Sequence, residues 1–316
     1  MMSMKLTNGL LKVARVLAYE ERLALYDNQP QLALDDLSVD WKIDSGLQQE
    51  PFLISGLICG GIVTMQLGVI GEGLDQHVWN DQQLVGLDAD LGKIDFLTET
   101  QLCLRGDFVL SLIPNVVRFK ADRFSIVRYA REVALGSSGQ KLDWRTYLLF
   151  VPYWLRSNGD YDRGLADYAR FLISESARMV DPASRRVFPE KDAGQLGAAS
   201  EIQSSLKCTS KFAYSQVQVD EARIACRLER YRLAHETYPA TLDALVPTYG
   251  PNLPHDIMNG EPYHYKVNGD GTYILYSVGW NQIDDGGNVV YKKDSPNQVN
   301  YQQGDWVWPP PNPGKS

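Results

Sequence analysis

Cysteine and histidine are scarce in this sequence, with four of each in 316 residues. Cys59, Cys103, Cys208 and Cys226 form no C-x-x-C pair and no zinc-type spacing with a histidine, which excludes zinc fingers, zinc ribbons and thioredoxin-like redox motifs. Cys59 sits in an apolar run and reads as a small buried hydrophobe. Cys208 and Cys226 could pair in an oxidising compartment, but spacing alone does not show that their side chains meet. His77, His235, His255 and His264 are too scattered for a transition-metal set, and His255 with Asp256 reads as part of a turn. Basic clusters are lacking too: 31 Lys and Arg stand against 39 Asp and Glu, a net charge of −8 that excludes nucleic acid as the main partner. There is no G-x-S-x-G, no phosphate loop and no Cys/His nucleophile signature. No carboxylate pair stands out for glycoside hydrolysis. The chain therefore reads as a non-enzyme.

Uncharged apolar runs are also missing, with one exception. Pro51 to Gly71, PFLISGLICGGIVTMQLGVIG, is about long enough to span a bilayer. Its five glycines, Gln66 and several hydroxyls make it a poor membrane span, so it is expected as a buried central helix. Gly56 and Gly60, at small-xxx-small spacing, would let another helix approach closely. The N-terminal MMSMKLTNGLLKVARVLAYEER has no secretory signal, because Lys12 and Arg15 interrupt its apolar stretch before Glu20. Either the protein is cytoplasmic or a leader or membrane anchor precedes this sequence.

What is present is the composition of a globular chain, 44% hydrophobic and 22% charged, long enough for two domains. From Asn8 to Tyr26, Leu10, Val13, Leu17 and Ala24 recur at helical spacing with Glu20, Glu21 and Arg22 between them. Asp27-Asn28-Gln29-Pro30 stops that helix, and Pro30 suits the first turn of the next, Gln31 to Lys42, where its missing N–H is not needed. Further helices are expected around 51–73, after Asn80-Asp81, from Phe96 to Leu112, and from Asp143 to Met179. In the last of these Trp144, Tyr147, Phe150, Tyr153 and Trp154 read as core residues. No strand alternation is visible before about residue 210. Arg105-Gly106-Asp107, inside an apolar helical pattern, reads as accidental. The polar turns in Tyr26–Leu34 and Ser157–Ala166 precede helices that start with small and apolar residues. Both resemble the turn and second helix of a tetratricopeptide repeat, without its period of about 34 residues. DPASRRVFPEKDAGQLGAASEIQSS, residues 181–205, reads as a linker or long surface loop.

Beyond it the texture changes. Lys211 to His235 is one amphipathic helix carrying Val217, Ile224, Leu228 and Tyr231, and it is closed by Tyr238-Pro239. A short leucine-faced helix follows at Ala240–Val246. Tyr263, Tyr265 and Val267 then lead into the turn Asn268-Gly269-Asp270-Gly271 and a return strand, Tyr273 to Val278. This order resembles the globular domain of the major pseudopilin of type II secretion systems, over residues 211–308. The residues that carry the resemblance are Tyr238 and Pro239 at a corner, Leu242 and Leu245, then Leu253, Pro254 and Asp256. Gly260, Pro262, Tyr263, Tyr265, Tyr276, Ser277 and Gly279 continue it, with an acidic loop and a closing strand Gly304-Asp305-Trp306-Val307-Trp308. It implies a long helix with a small antiparallel sheet, a Ca²⁺ loop, and an envelope or periplasm-facing location. The family's membrane-anchoring half-helix has no counterpart before residue 211; two hundred residues of helical chain stand there instead.

The expected fold is therefore α+β: a helical domain over 1–210, with the linker within about 181–210, a pseudopilin-like domain over 211–308 and a Pro-rich tail over 309–316. Ca²⁺ needs six to eight oxygen ligands on a wrapping loop, and Asp284, Asp285 and Asp305 with the Gly286-Gly287 turn are the candidates. The EF-hand template does not fit, since Ile283 falls at its third position when Asn281 is the first. The bland alternative is a solvated Asp-Asp-Gly-Gly turn. The function expected is a structural or interaction protein of the bacterial envelope with a protein partner. The alternatives are a peptide or glycan groove lined by Trp280, Tyr291, Tyr301, Trp306 and Trp308, and an enzyme of unrecognised class.

Overall fold

The computed structural model describes residues 4–125, 128, 151–172, 179–189 and 200–309. Trp144, Tyr147, Phe150, the side chain of Tyr153 and the tail beyond Pro309 lie outside the described residues. The class is α+β, with a helical array first and small antiparallel sheets in the C-terminal part.

Helix α1, Met4–Tyr26, and α2, Pro30–Leu47, form an antiparallel-type hairpin whose turn places Asn28 in the left-handed region, which Asn tolerates. Pro30 occupies the first turn of α2 as the sequence suggests. The helix runs five residues past the expected Lys42, because its buried stripe of Ala33, Leu37, Asp40, Asp44 and Leu47 is completed by two acids that a hydrophobic pattern does not register. Helix α3, Leu53–Asp75, is the one described helix long and apolar enough to cross a membrane. In the fold it is the central member of the array, packed by α1 and α2, by α5 (Phe96–Asp107) and by α9 (Ser200–His235). Gly56 and Gly60 lie against α9: a Cβ on Gly56 would come within 2.6 Å of the Phe212 ring, and one on Gly60 within 2.8 Å of the Ser215 hydroxyl.

Helix α4, Asp81–Leu91, opens with a capping box in which Asn80 and Gln83 each satisfy the other's backbone N–H. Asp95 caps α5 by accepting from the N–H groups of Leu97 and Thr98. The expected helix Phe96–Leu112 changes character at Asp107, where a π-helical turn, Phe108–Leu112, leads into α6, Ile113–Ala121. Pro114 is the physical reason: it lacks the donor that the preceding turn would use. Gly106 has a packing explanation, since a Cβ there would lie 2.0 Å from the Pro51 carbonyl oxygen. Short α7, Val151–Leu155, and α8, Asn158–Arg170, follow. Trp154 is 46% exposed and not a core residue; Tyr161 and Tyr168 on α8 take that role.

The first strands arrive earlier than the alternation pattern suggests. β1, Val180–Asp181, pairs with β2, Arg186–Val187, at the start of the stretch 181–205 read as a linker or loop. This hairpin buries Val180 and Val187, and the Val187 N–H donates to the Ile257 carbonyl. In the C-terminal part, β3 (His264–Val267), β4 (Tyr273–Ser277) and β7 (Trp306–Trp308) form an antiparallel sheet in that order. β5, Val289–Lys292, and β6, Ser295–Gly304, form a separate hairpin.

One apolar core runs through both regions, from Ala14, Leu37 and Leu67 through Val217 and Ile224 to Leu275 and Trp306. Helix α9 is its spine. It touches α3, α4 and α5 on the array side and β4, β6 and β7 on the sheet side. Two of its basic residues are tied to the array: Arg223 and Arg227 both donate to Asp88 on α4, at 2.9 and 2.8 Å.

Candidate functional site

At the C-terminal end of α9, Tyr238 and Pro239 form a closed corner. The Tyr238 hydroxyl donates to Glu229, which also accepts from Arg232 and faces His77, and the Tyr265 hydroxyl donates to the Pro239 carbonyl. A 3₁₀ turn, Leu242–Leu245, takes the place of the expected short helix. Asp256 is fully buried and works as an anchor. Its carboxylate accepts from the N–H groups of Met258 and Val278 and from the Ser277 hydroxyl, which fastens the loop before the sheet to the end of β4. Burial raises its pKa despite these donors.

The acidic loop starts immediately after β4. Asp284 accepts from the Tyr276 hydroxyl and the Gly286 N–H, each at 2.9 Å, and lies 3.5 Å from His264 Nδ1. The Gly286 N–H and then the Tyr276 hydroxyl hold its carboxyl below the usual range. Asp285 accepts from the Asn281 amide. Gly286 and Gly287 both have positive φ, the conformation for which glycine suits this turn. Asp305, in the bend between β6 and β7, is fully buried; its Oδ2 accepts from the Gly287 N–H at 2.6 Å, the Asp285 backbone N–H also favours its charged form, and Oδ1 makes no well-aligned hydrogen bond among the described residues. Burial pushes the Asp305 carboxyl up, and the like charges of Asp285 and Asp284 push the same way.

The three expected acids therefore share one neighbourhood, assembled because the Asp305 N–H donates to the Asn288 carbonyl and β7 pairs with β4. Their side chains nevertheless point to separate partners. Among the described residues no three acidic, His or Cys side chains stand grouped as ligands of one ion. What suits a hard cation is the buried Asp305 carboxylate beside a glycine turn, with the negative charges of Asp285 and Asp284 near it.

Of the aromatics considered for a groove, Trp306 and Trp308 are core residues. Trp306 packs edge-on to Tyr214 of α9, and Tyr301 also packs against that ring, with centroids 4.8 Å apart. They secure the sheet to the helix.

A second concentration of chemistry was not visible in the sequence. Glu21 on α1, Asp40 and Asp44 on α2, and Glu99 on α5 are buried around α3. Glu21, expected on a polar stretch, is fully enclosed. Gln66 of α3 donates to Asp44 at 2.8 Å, and its carbonyl oxygen has no hydrogen-bond partner among the described residues. With little positive charge opposite them, burial pushes these carboxyls up, to about 8 for Glu21 and Glu99, about 7 for Asp44 and about 6 for Asp40. Amphipathic periodicity assigns such residues to solvent, and only the small neighbours Ala14, Ala18 and Ala33 hint that this face is enclosed. Comparison with family models, curated proteins and solved structures gives no match for this chain.

Proposed function

We propose that this chain is a non-enzymatic structural or interaction protein of the bacterial envelope, whose segment 211–308 is a pseudopilin-like module stabilised by Ca²⁺. The observation that supports the reading is Asp305: a buried carboxylate, one oxygen of which makes no well-aligned hydrogen bond among the described residues, beside Asp284, Asp285 and a two-glycine turn. A cation there would balance charge that burial otherwise penalises. Asp305 Oδ1 would be the inner ligand, with Asp285 and Asp284 closing over the ion as Asp284 gives up the Tyr276 hydroxyl. The role is then to hold β7 and the loop in one shape, so that the module presents a fixed surface to a protein partner.

Calcium titration tests this. With a dissociation constant of about 0.1 mM, 10 mM Ca²⁺ is expected to stabilise the fold by about 2.7 kcal/mol, a rise of roughly 5 °C in Tm. The rise should vanish in Asp305→Asn and shrink in Asp284→Ala. A melting curve of the wild type unmoved by Ca²⁺ removes the ion from the proposal.

A further inference from the structure

We propose that α1 is a self-association surface, which pairs side by side and in parallel with α1 of a second copy of this chain about a two-fold axis. The inner face of α1 is spent on the core through Ala14, Ala18, Glu21 and Leu25. On the opposite face Val16, Tyr19, Leu23 and Tyr26 are 56%, 74%, 60% and 84% exposed. Their spacing of three, four and three residues is that of a coiled-coil seam. The charges that border this stripe are sorted by sign. Glu20 and Asp27 lie on one edge, Arg15 and Arg22 on the other.

That sorting selects the partner and its direction. In a parallel pair about a two-fold axis, the acidic edge of each helix meets the basic edge of the other, which sets Arg15 against Glu20 of the second copy and Arg22 against its Asp27. An antiparallel pair would bring like charges together along both edges. Arg22 already bonds Glu72 at 3.0 Å, so the Arg15–Glu20 contact carries the selectivity. Lys12 at one end and the Asn28-Gln29-Pro30 turn at the other confine the seam to about three turns. The association is accordingly weak, and it is independent of the calcium loop.

Sedimentation velocity of the full chain over a concentration series is the test. A reversible dimer is expected with a dissociation constant on the order of 10–100 µM, the range of small interfaces. Leu23→Asp should abolish it without moving the thermal melt, because Leu23 faces outward. Arg15→Glu should weaken it by about tenfold, and Arg15→Glu combined with Glu20→Arg should return it to within about threefold of wild type. A chain that stays monomeric at about 1 mM overturns the proposal. So does dimerisation indifferent to Leu23→Asp, or a double variant no better than the singles. Monomers that instead bind phosphatidylglycerol vesicles through Leu23 would assign the face to lipid and equally overturn it.

Discussion

Raising the pH from about 5 to about 9 is expected to destabilise the folded chain progressively, and Glu21→Gln to recover a large part of the loss. Glu21, Asp44, Asp40 and Glu99 have ordinary values near 4.5 or 3.8 and are raised in the fold to between about 6 and about 8. Between those limits the native state keeps protons that the unfolded chain has released, so stability falls as pH rises through the folded values. The stabilisation is complete below the ordinary values and gone above about pH 8. At about 1.4 kcal/mol per unit, the shift of Glu21 alone sets an upper limit on the order of 5 kcal/mol, which relaxation of the helices will reduce.

The surroundings of the cluster favour that sign. Asp36 and Asp40 oppose the charge on Glu21 from α2, and Arg22, the cation next to it on α1, is already bonded to Glu72 of α3. Gln66 donates from α3, and Asp95 opposes Glu99 from the loop before α5. Carboxyls held low, such as Glu229 and Asp284, act mainly below about pH 5 and stay outside the window. Thermal melts of wild type and Glu21→Gln at about pH 6 and pH 9 decide the matter. A wild-type Tm that is flat or rises across this interval would refute the account.

Asp88→Ala is expected to cost about 3–5 kcal/mol, the typical penalty for stranding one half of a buried ion pair. Asp88 is the shared acceptor of two guanidinium groups one helical turn apart on α9. Arg223 could turn to water, but the Arg227 side chain is only 4% exposed and is further confined by its bond to the Asn252 carbonyl. Removing the carboxylate leaves that charge enclosed with the Asn252 carbonyl as its one remaining partner among the described residues. The double variant Asp88→Ala with Arg227→Leu should regain part of the loss, because an apolar side chain tolerates the site that an unpaired charge does not. Urea unfolding of the three proteins measures it; a change below about 1 kcal/mol in Asp88→Ala would show that water reaches Arg227.

Helices were legible wherever apolar spacing, a proline or a cap residue marked them. Pro30 and the Asn80 box fixed two starts, and Gly56 and Gly60 indicated the close face of α3. The buried acids were not legible, because a carboxylate carries no sign of whether water or a neutralising proton will accompany it. Two-residue strands such as β1 and β2 are too short for alternation to register. The hinge-like change at Phe108–Leu112 depends on a donor missing at Pro114 a turn further on. The neighbourhood of Asp284, Asp285 and Asp305 depends on β7 returning to β4, so the separation of Asp305 from the other two in sequence gave no geometric clue.

The position of α9 has a consequence for biosynthesis. Gly56, Gly60 and the apolar face of α3 are made early, yet the side chains that cover the two glycines, Phe212 and Ser215, emerge only some 155 residues later. At about 5–20 residues per second, that leaves the nascent chain with an uncovered glycine-bearing helix face for roughly eight to thirty seconds. During that interval it is a natural client for a ribosome-associated chaperone, and translation that stops before residue 200 would release a chain unable to close over its own centre.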